Sequence, residues 1–311
     1  MLNKIVKILD YLRYFLCPYI IIDGFLKIKD RKVVNNNFGD DINIPILKEL
    51  SGKKVVHIHQ TNQWKLPRLL CIGSIIENFS SKKTNVWGSG CIYGNKKILN
   101  PPHKIYAVRG KLTRQTLIKQ GIPCPEVYGD PALLLPYIYT PHSEKKYKYG
   151  FIPHYVDYDL PHVKKFREEH PEILFINLKD YTSWQNVIEQ IYSCEFIISS
   201  SLHGLIVSDA YKIPNVRVIF SNNIIGGDFK YRDYFSVVGK EYTEPINCKD
   251  IIDLEHIIAS FKSYQPITFN PQKLLNAFPL SPVRKGPYSL PDLAWVTLGE
   301  GLLHTTLLQP D

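Results

Sequence analysis

The sequence predicts an α/β protein of two Rossmann-like domains facing a cleft, on three observations. The chain has 311 residues, too many for one ordinary core and suited to two. Short apolar segments alternate along it with segments of helical period. A stretch rich in Tyr, Pro, Ser and Lys, from Pro136 to Lys148, separates two such runs. An apolar fraction of 44% fills two cores, and 22% charged residues argue against wholesale disorder.

The chain opens with an apolar, aromatic segment, Met1 to Leu26. Leu2, Ile5, Val6, Leu9, Leu12 and Leu16 recur at helical spacing, with Lys4, Lys7 and Arg13 mostly off that face. Charges break the apolar run and no small-residue cleavage site follows, so it is not read as a signal peptide. Pro18 and the charges also prevent an uninterrupted bilayer span. Residues 1–28 are expected to form an amphipathic helix, packed on the body or lying on a membrane surface.

Residues 29–142 form the first expected domain and residues 143–280 the second. Strands are expected at 69–72, 85–87, 104–108, 149–152, 173–177, 196–199 and 215–220, and helices at 41–50, 110–120, 184–192 and 202–211. Gly121 is placed to stop the second helix, and Ser183 to cap the third. The alternation implies βαβ units, parallel sheets and a site at the carboxyl ends of strands. Residues 281–311 carry several prolines and then an apolar stretch, and read as a disordered or vector-encoded tail.

The net charge of +9 suits anionic partners, or reflects a generally basic proteome. No Lys/Arg run is long enough for a nucleic-acid arm, and nucleic acid is not an expected partner. Six cysteines without a C-x-x-C pair read as buried thiols of a reducing compartment, which places the chain in the cytoplasm. His57 and His59 alternate after Val55-Val56 and read as strand surface; no metal is expected.

The chemistry concentrates at Ser199-Ser200-Ser201-Leu202-His203-Gly204, between an apolar strand and an apolar helix. Orphan amides and the helix dipole make such a turn an anion site. His203, in the first turn, is placed to reach a bound ligand and move a proton. Asn37-Phe38-Gly39-Asp40-Asp41 precedes an amphipathic helix, so its acids either cap the helix or serve an acceptor. Gly88 and Gly90 allow close backbone approach, and Arg109 follows a strand directly. His154 stands at another strand end. Lys230 and Arg232 lie among aromatics.

In this order, Asn37-Phe-Gly-Asp-Asp, Gly73-Ser74, Trp87-Gly-Ser-Gly, Val108-Arg-Gly-x-Leu-Thr, Tyr128-Gly-Asp-Pro, Ile152-Pro-His and Ser199-Ser-Ser-Leu-His-Gly resemble the polysaccharide pyruvyl transferase family. The resemblance covers roughly Asn35 to Phe278. It implies a GT-B-like pair of domains, the first on the acceptor side and the second on the donor side. It implies transfer of pyruvate from phosphoenolpyruvate to a hexose diol of a lipid-linked oligosaccharide, giving a cyclic ketal and phosphate. No cofactor is implied beyond phosphoenolpyruvate as co-substrate. A membrane-bound acceptor would suit a peripheral position on the inner membrane face.

Under this resemblance His203 is catalytic, with Asp40 and Asp41 orienting acceptor hydroxyls. Ser199, Ser200, Ser201, Arg109, Lys230, Arg232 and His154 bind the donor, and Asn37, Gly88 and Gly90 the acceptor. Many members carry Arg where this chain has Ser201, so that role passes to Arg109, Lys230, Arg232 or Arg217. The alternatives are a GT-B glycosyltransferase using a nucleotide sugar and a non-catalytic glycan-binding protein.

Overall fold

The computed structural model describes residues 19–61 and 65–280. The expected tail at 281–311, and all but the end of the expected N-terminal helix, lie outside the described residues. The first half runs β1 (Ile20–Ile22), β2 (Lys27–Lys29), β3 (Lys32–Val34), α1 (Phe38–Asp41), α2 (Asn43–Ser51), β4 (Val55–His57), β5 (Arg68–Leu70), α3 (Ile76–Phe79), β6 (Thr84–Trp87), β7 (Lys104–Ala107) and α4 (Lys111–Lys119). After a 3-10 segment at Pro131–Tyr137 come β8 (Tyr147–Ile152), α5 (Pro161–Glu169), β9 (Leu174–Phe175), α6 (Trp184–Tyr192), β10 (Cys194–Ser199), α7 (Leu202–Ala210), β11 (Asn215–Ile219), α8 (Phe229–Phe235), β12 (Ile246–Asn247), α9 (Leu254–Ser260) and α10 (Pro271–Asn276).

Two five-stranded sheets result, ordered β4-β1-β5-β6-β7 and β12-β11-β10-β8-β9, and every pairing within them is parallel. Counted along the chain, both have the order 2-1-3-4-5. Winding therefore reverses between β1 and β5 in one sheet, and between β8 and β10 in the other. In open parallel sheets the crevice at such a reversal, beyond the carboxyl ends, is where ligands bind.

Each strand forecast from periodicity is present within a few residues. Ile20–Ile22 departs from expectation. The sequence places it within the N-terminal helix, and it is instead an interior strand of the first sheet, with Ile21 and Ile22 buried. Three β-branched residues between Pro18 and Asp23-Gly24 favour a strand, and neighbours on both sides supply the pairing. His57 also departs. It is buried at the end of β4, where Nδ1 accepts the His59 amide and Nε2 meets the Gly24 carbonyl. It is a cap, not strand surface.

The halves share a core in which Trp87, Leu134, Leu205 and Leu274 are buried. The Trp87 indole N–H donates to the Leu274 carbonyl at 2.9 Å, and the Phe38 amide to Leu178 O at 2.8 Å. Ser183 caps α6 by accepting the Asn186 amide, and Gly121 ends α4 with a left-handed φ of 72°. Cys71, Cys91, Cys124, Cys194 and Cys248 are buried and free. Among the described residues no helix is long and apolar enough to cross a membrane.

Candidate functional site

The winding reversals bring six expected residues to one place. His203 opens α7 beyond β10, His154 follows β8, and Lys230 lies in α8. Asp40 comes from α1, beside the end of β5. Asn37 supports Asp40, and Ser201 precedes α7. The His203 ring rests on the Gly39 backbone, where a Cβ would stand 1.8 Å from Nδ1. Gly39 therefore has to lack a side chain. Gly73, at φ 118° beyond β5, gives similar room to Asp40, whose Oδ1 would be 3.2 Å from an added Cβ.

The three serines divide their work. Ser199 Oγ donates to Ile152 O at 2.9 Å and accepts the Ser201 amide at 3.0 Å, so it ties β10 to β8. Ser200 Oγ accepts the His154 amide at 2.8 Å and faces the buried Asp157 carboxylate at 3.4 Å. Ser201 makes no side-chain capping bond. Its hydroxyl, with the first amides of α7, is left for a ligand.

The charges are graded. Burial pushes the Asp40 carboxyl up to about 7, against the Asn37 hydrogen bond at 2.6 Å and the attraction of Lys230. Burial holds His203 down at about 3, helped by the positive fields of Lys230 and Arg109. His154 is held down to about 3 by burial and by the fields of Lys230 and His203. Lys230 falls to about 8, through burial and then the fields of Arg109 and Arg217. His203 therefore sits neutral at physiological pH, although its ordinary titration range had suggested a group poised near neutrality. Asp40 is the group poised there.

His203 Nε2 is sealed from solvent and has no partner. Lys230 makes no ion pair with the described residues. The Ser201 hydroxyl, the α7 amides, His203 Nε2 and the Lys230 ammonium thus form a set of polar groups not spent on the fold. Ser201, the α7 amides and Lys230 offer donors, which suits an anion, with His203 Nε2 donating or accepting according to its tautomer and Asp40 at the edge.

Other expected residues are committed to protein partners. Arg109 is fully buried. Its guanidinium donates to Asp233 Oδ2 at 3.0 Å, Ser74 Oγ at 2.5 Å and Cys91 O at 2.8 Å. Gly90 makes room for that guanidinium, and Gly88, at φ 89°, packs on Pro131. These glycines bring protein to protein, where an acceptor contact was expected. Asp41 Oδ2 accepts the Asn36 and Asn37 amides and the Tyr181 hydroxyl, which fixes the turn carrying Asp40. Arg232 is exposed over Tyr242, because two helical steps turn it about 200° from Lys230. Arg217 lies 3.6 Å from the centroid of the Tyr231 ring and pairs with Asp228.

Sequence reasoning passed over the supports. Buried Asn43 clamps the α1–α2 corner to the end of β5: Nδ2 donates to Asp40 O and Ile72 O, and Oδ1 accepts the Ile72 amide. Asp233 joins Arg109 to the Thr113 amide and hydroxyl. A carboxylate among Tyr231, Tyr234 and Phe235 was the available signal. Asp157, within the motif at the end of β8, is fully buried and accepts from Ser221 Oγ as well as facing Ser200.

A sequence profile of the family described as polysaccharide pyruvyl transferase matches residues 9–222. Uncharacterized protein L143 of Acanthamoeba polyphaga mimivirus is 31% identical over 209 residues, 66% of this chain and 72% of that protein. The succinoglycan biosynthesis protein ExoV of Rhizobium meliloti (strain 1021) is 28% identical over 217 residues. That match takes in 67% of this chain and 63% of ExoV, less than two thirds of its length.

Proposed function

Because the chain belongs to the polysaccharide pyruvyl transferase family, we propose that it transfers pyruvate from phosphoenolpyruvate to a hexose diol of a lipid-linked polysaccharide repeat unit, forming a cyclic ketal and releasing phosphate. The observation that carries this reading is the cluster of unspent donors beside one carboxyl poised near neutrality.

The donor carries a phosphate and a carboxylate. Lys230, Ser201 and the α7 amides hold these anions, with His203 Nε2 facing them. Lys230 contributes to the field that keeps His203 neutral. Burial is the larger cause, so the bound dianion has to do more than offset that field: its own charge attracts a proton to the imidazole as the donor binds. His203 then protonates the enol methylene, which makes C2 electrophilic. One acceptor hydroxyl adds to C2 and loses its proton to Asp40, whose pKa near 7 suits a general base. Phosphate leaves, and the second hydroxyl closes the ketal, giving its proton to the His203 imidazole, which the first step left neutral.

Arg109 acts from behind, through Ser74 and through its field. The two sheet units act as Rossmann-type domains of a GT-B-like pair, acceptor side first. A lipid-linked acceptor places the enzyme at the inner face of the membrane, where a basic protein is favoured.

Incubation with phosphoenolpyruvate and defined lipid-linked acceptors tests the reading. Phosphate release with a pyruvyl mass gain on the acceptor is expected. His203→Ala is expected to lower turnover about 100- to 10,000-fold. Near-normal turnover by that variant would remove the central role of His203. Inertness of the wild type toward phosphoenolpyruvate, with release of nucleotide from a sugar nucleotide, would replace the reading with glycosyl transfer.

A further inference from the structure

Tyr155 is exposed to 38%, on a turn whose other members are tied down. Single exposed aromatics are common and need no explanation. Here the surroundings are unusual. The His154 amide is held by Ser200 Oγ at 2.8 Å, and the Asp157 amide closes the turn onto His154 O at 2.8 Å. The Asp157 carboxylate, at the turn's end, is in turn fixed by Ser221 and Ser200. The backbone that projects Tyr155 is therefore held in place, while more than a third of the residue's surface stays open.

One side of the ring leans on the His154 imidazole, with centroids 4.4 Å apart and planes inclined by 32°. The phenol lies within the field of the Asp40 carboxyl, which belongs to the other half of the chain. A partly open aromatic surface thus rests on His154, with its phenol in the field of the carboxyl proposed to take the acceptor's proton.

A pyranose has the matching shape. Its C–H face is apolar and packs on an aromatic ring, while its rim hydroxyls need acceptors such as a carboxylate. We infer that Tyr155 is the platform on which the acceptor's sugar ring stacks, setting the diol against Asp40. This rests on reading the site as a pyruvyl transferase, but the sugar contact has its own measurement.

Saturation-transfer NMR with a panel of methyl hexopyranosides reads ring contact without catalysis. At least one sugar is expected to take up saturation strongly at its ring C–H protons with the wild-type protein. Tyr155→Ala should lose that signal, and Tyr155→Phe, which keeps the ring, should retain it. In the coupled reaction, Tyr155→Ala should raise the acceptor KM about tenfold, the scale of one lost stacking contact. The KM for phosphoenolpyruvate and the thermal midpoint should stay unchanged.

Saturation transfer that is absent in the wild type, or equal in wild type and Tyr155→Ala, overturns the inference. An equal rise in the phosphoenolpyruvate KM also overturns it, because the ring would then support the anion set through His154. Sugar contact dependent on Tyr155 in a protein inert toward phosphoenolpyruvate would instead leave the platform standing and remove the pyruvyl transfer reading.

Discussion

Asp40→Asn removes the one carboxyl poised near neutrality, and its effect on stability can be worked out from the structure. Asp40 is 9% exposed and its carboxyl titrates at about 7, against an ordinary 3.8. The folded protein therefore holds this proton more tightly than the unfolded chain does. Stability from the group is fully present below pH 3.8 and is lost as pH rises towards 7. The whole loss amounts to about 4 kcal/mol at most. Asparagine carries no charge to desolvate and still offers an oxygen to the Asn37 amide group. The variant should match the wild type near pH 4 and exceed it above pH 7. Urea unfolding followed by circular dichroism, at intervals from pH 4 to pH 8, measures the difference. Turnover should fall at the same time by about 100-fold or more, since a general base is lost. A wild-type-minus-variant difference that stays flat across this range would refute the argument, because Asp40 would then not be the titrating group.

Two further substitutions separate support from chemistry. Arg109→Met leaves the buried Asp233 carboxylate without its guanidinium, and urea unfolding should show a loss of about 3–5 kcal/mol. Unchanged stability would mean that Arg109 is not the internal strut its three contacts make it. Gly39→Ala puts a methyl group where His203 Nδ1 now rests. It should reduce phosphate release towards the level of His203→Ala, while the urea midpoint reflects only overpacking of about 1–3 kcal/mol. Full turnover in this variant would show that the imidazole does not need the place it occupies.

Much of the fold was legible because it is written in local periodicity. Phe196–Ser199, Asn215–Phe220 and the helical spacing of Trp184–Tyr192 each bury one face or both, and that requirement shows in the order of residues. Ile20–Ile22 was misplaced because a short apolar run reads alike in a buried strand and at the end of a helix. Only β4 and β5 on either side decide between them.

For the site, the sequence by itself determined that Ser201, His203 and Gly204 stand at a strand-to-helix turn, where free amides favour an anion. It also offered Asp40 and Asp41 as acids and Arg109, Lys230, Arg232 and Arg217 as cations, with no choice among them. Tertiary structure alone decided which of the candidates are free to act. Arg109, Asp41, Ser199 and Gly90 have the right chemistry, and the fold uses it on Asp233, Tyr181, Ile152 and Arg109 itself. The same is true of the charge states. A sequence lists ionisable groups at their ordinary values, whereas burial and neighbouring fields raise Asp40 to about 7 and lower His203 to about 3. Desolvation depends on what surrounds a group in space, and residues distant along the chain supply most of those surroundings.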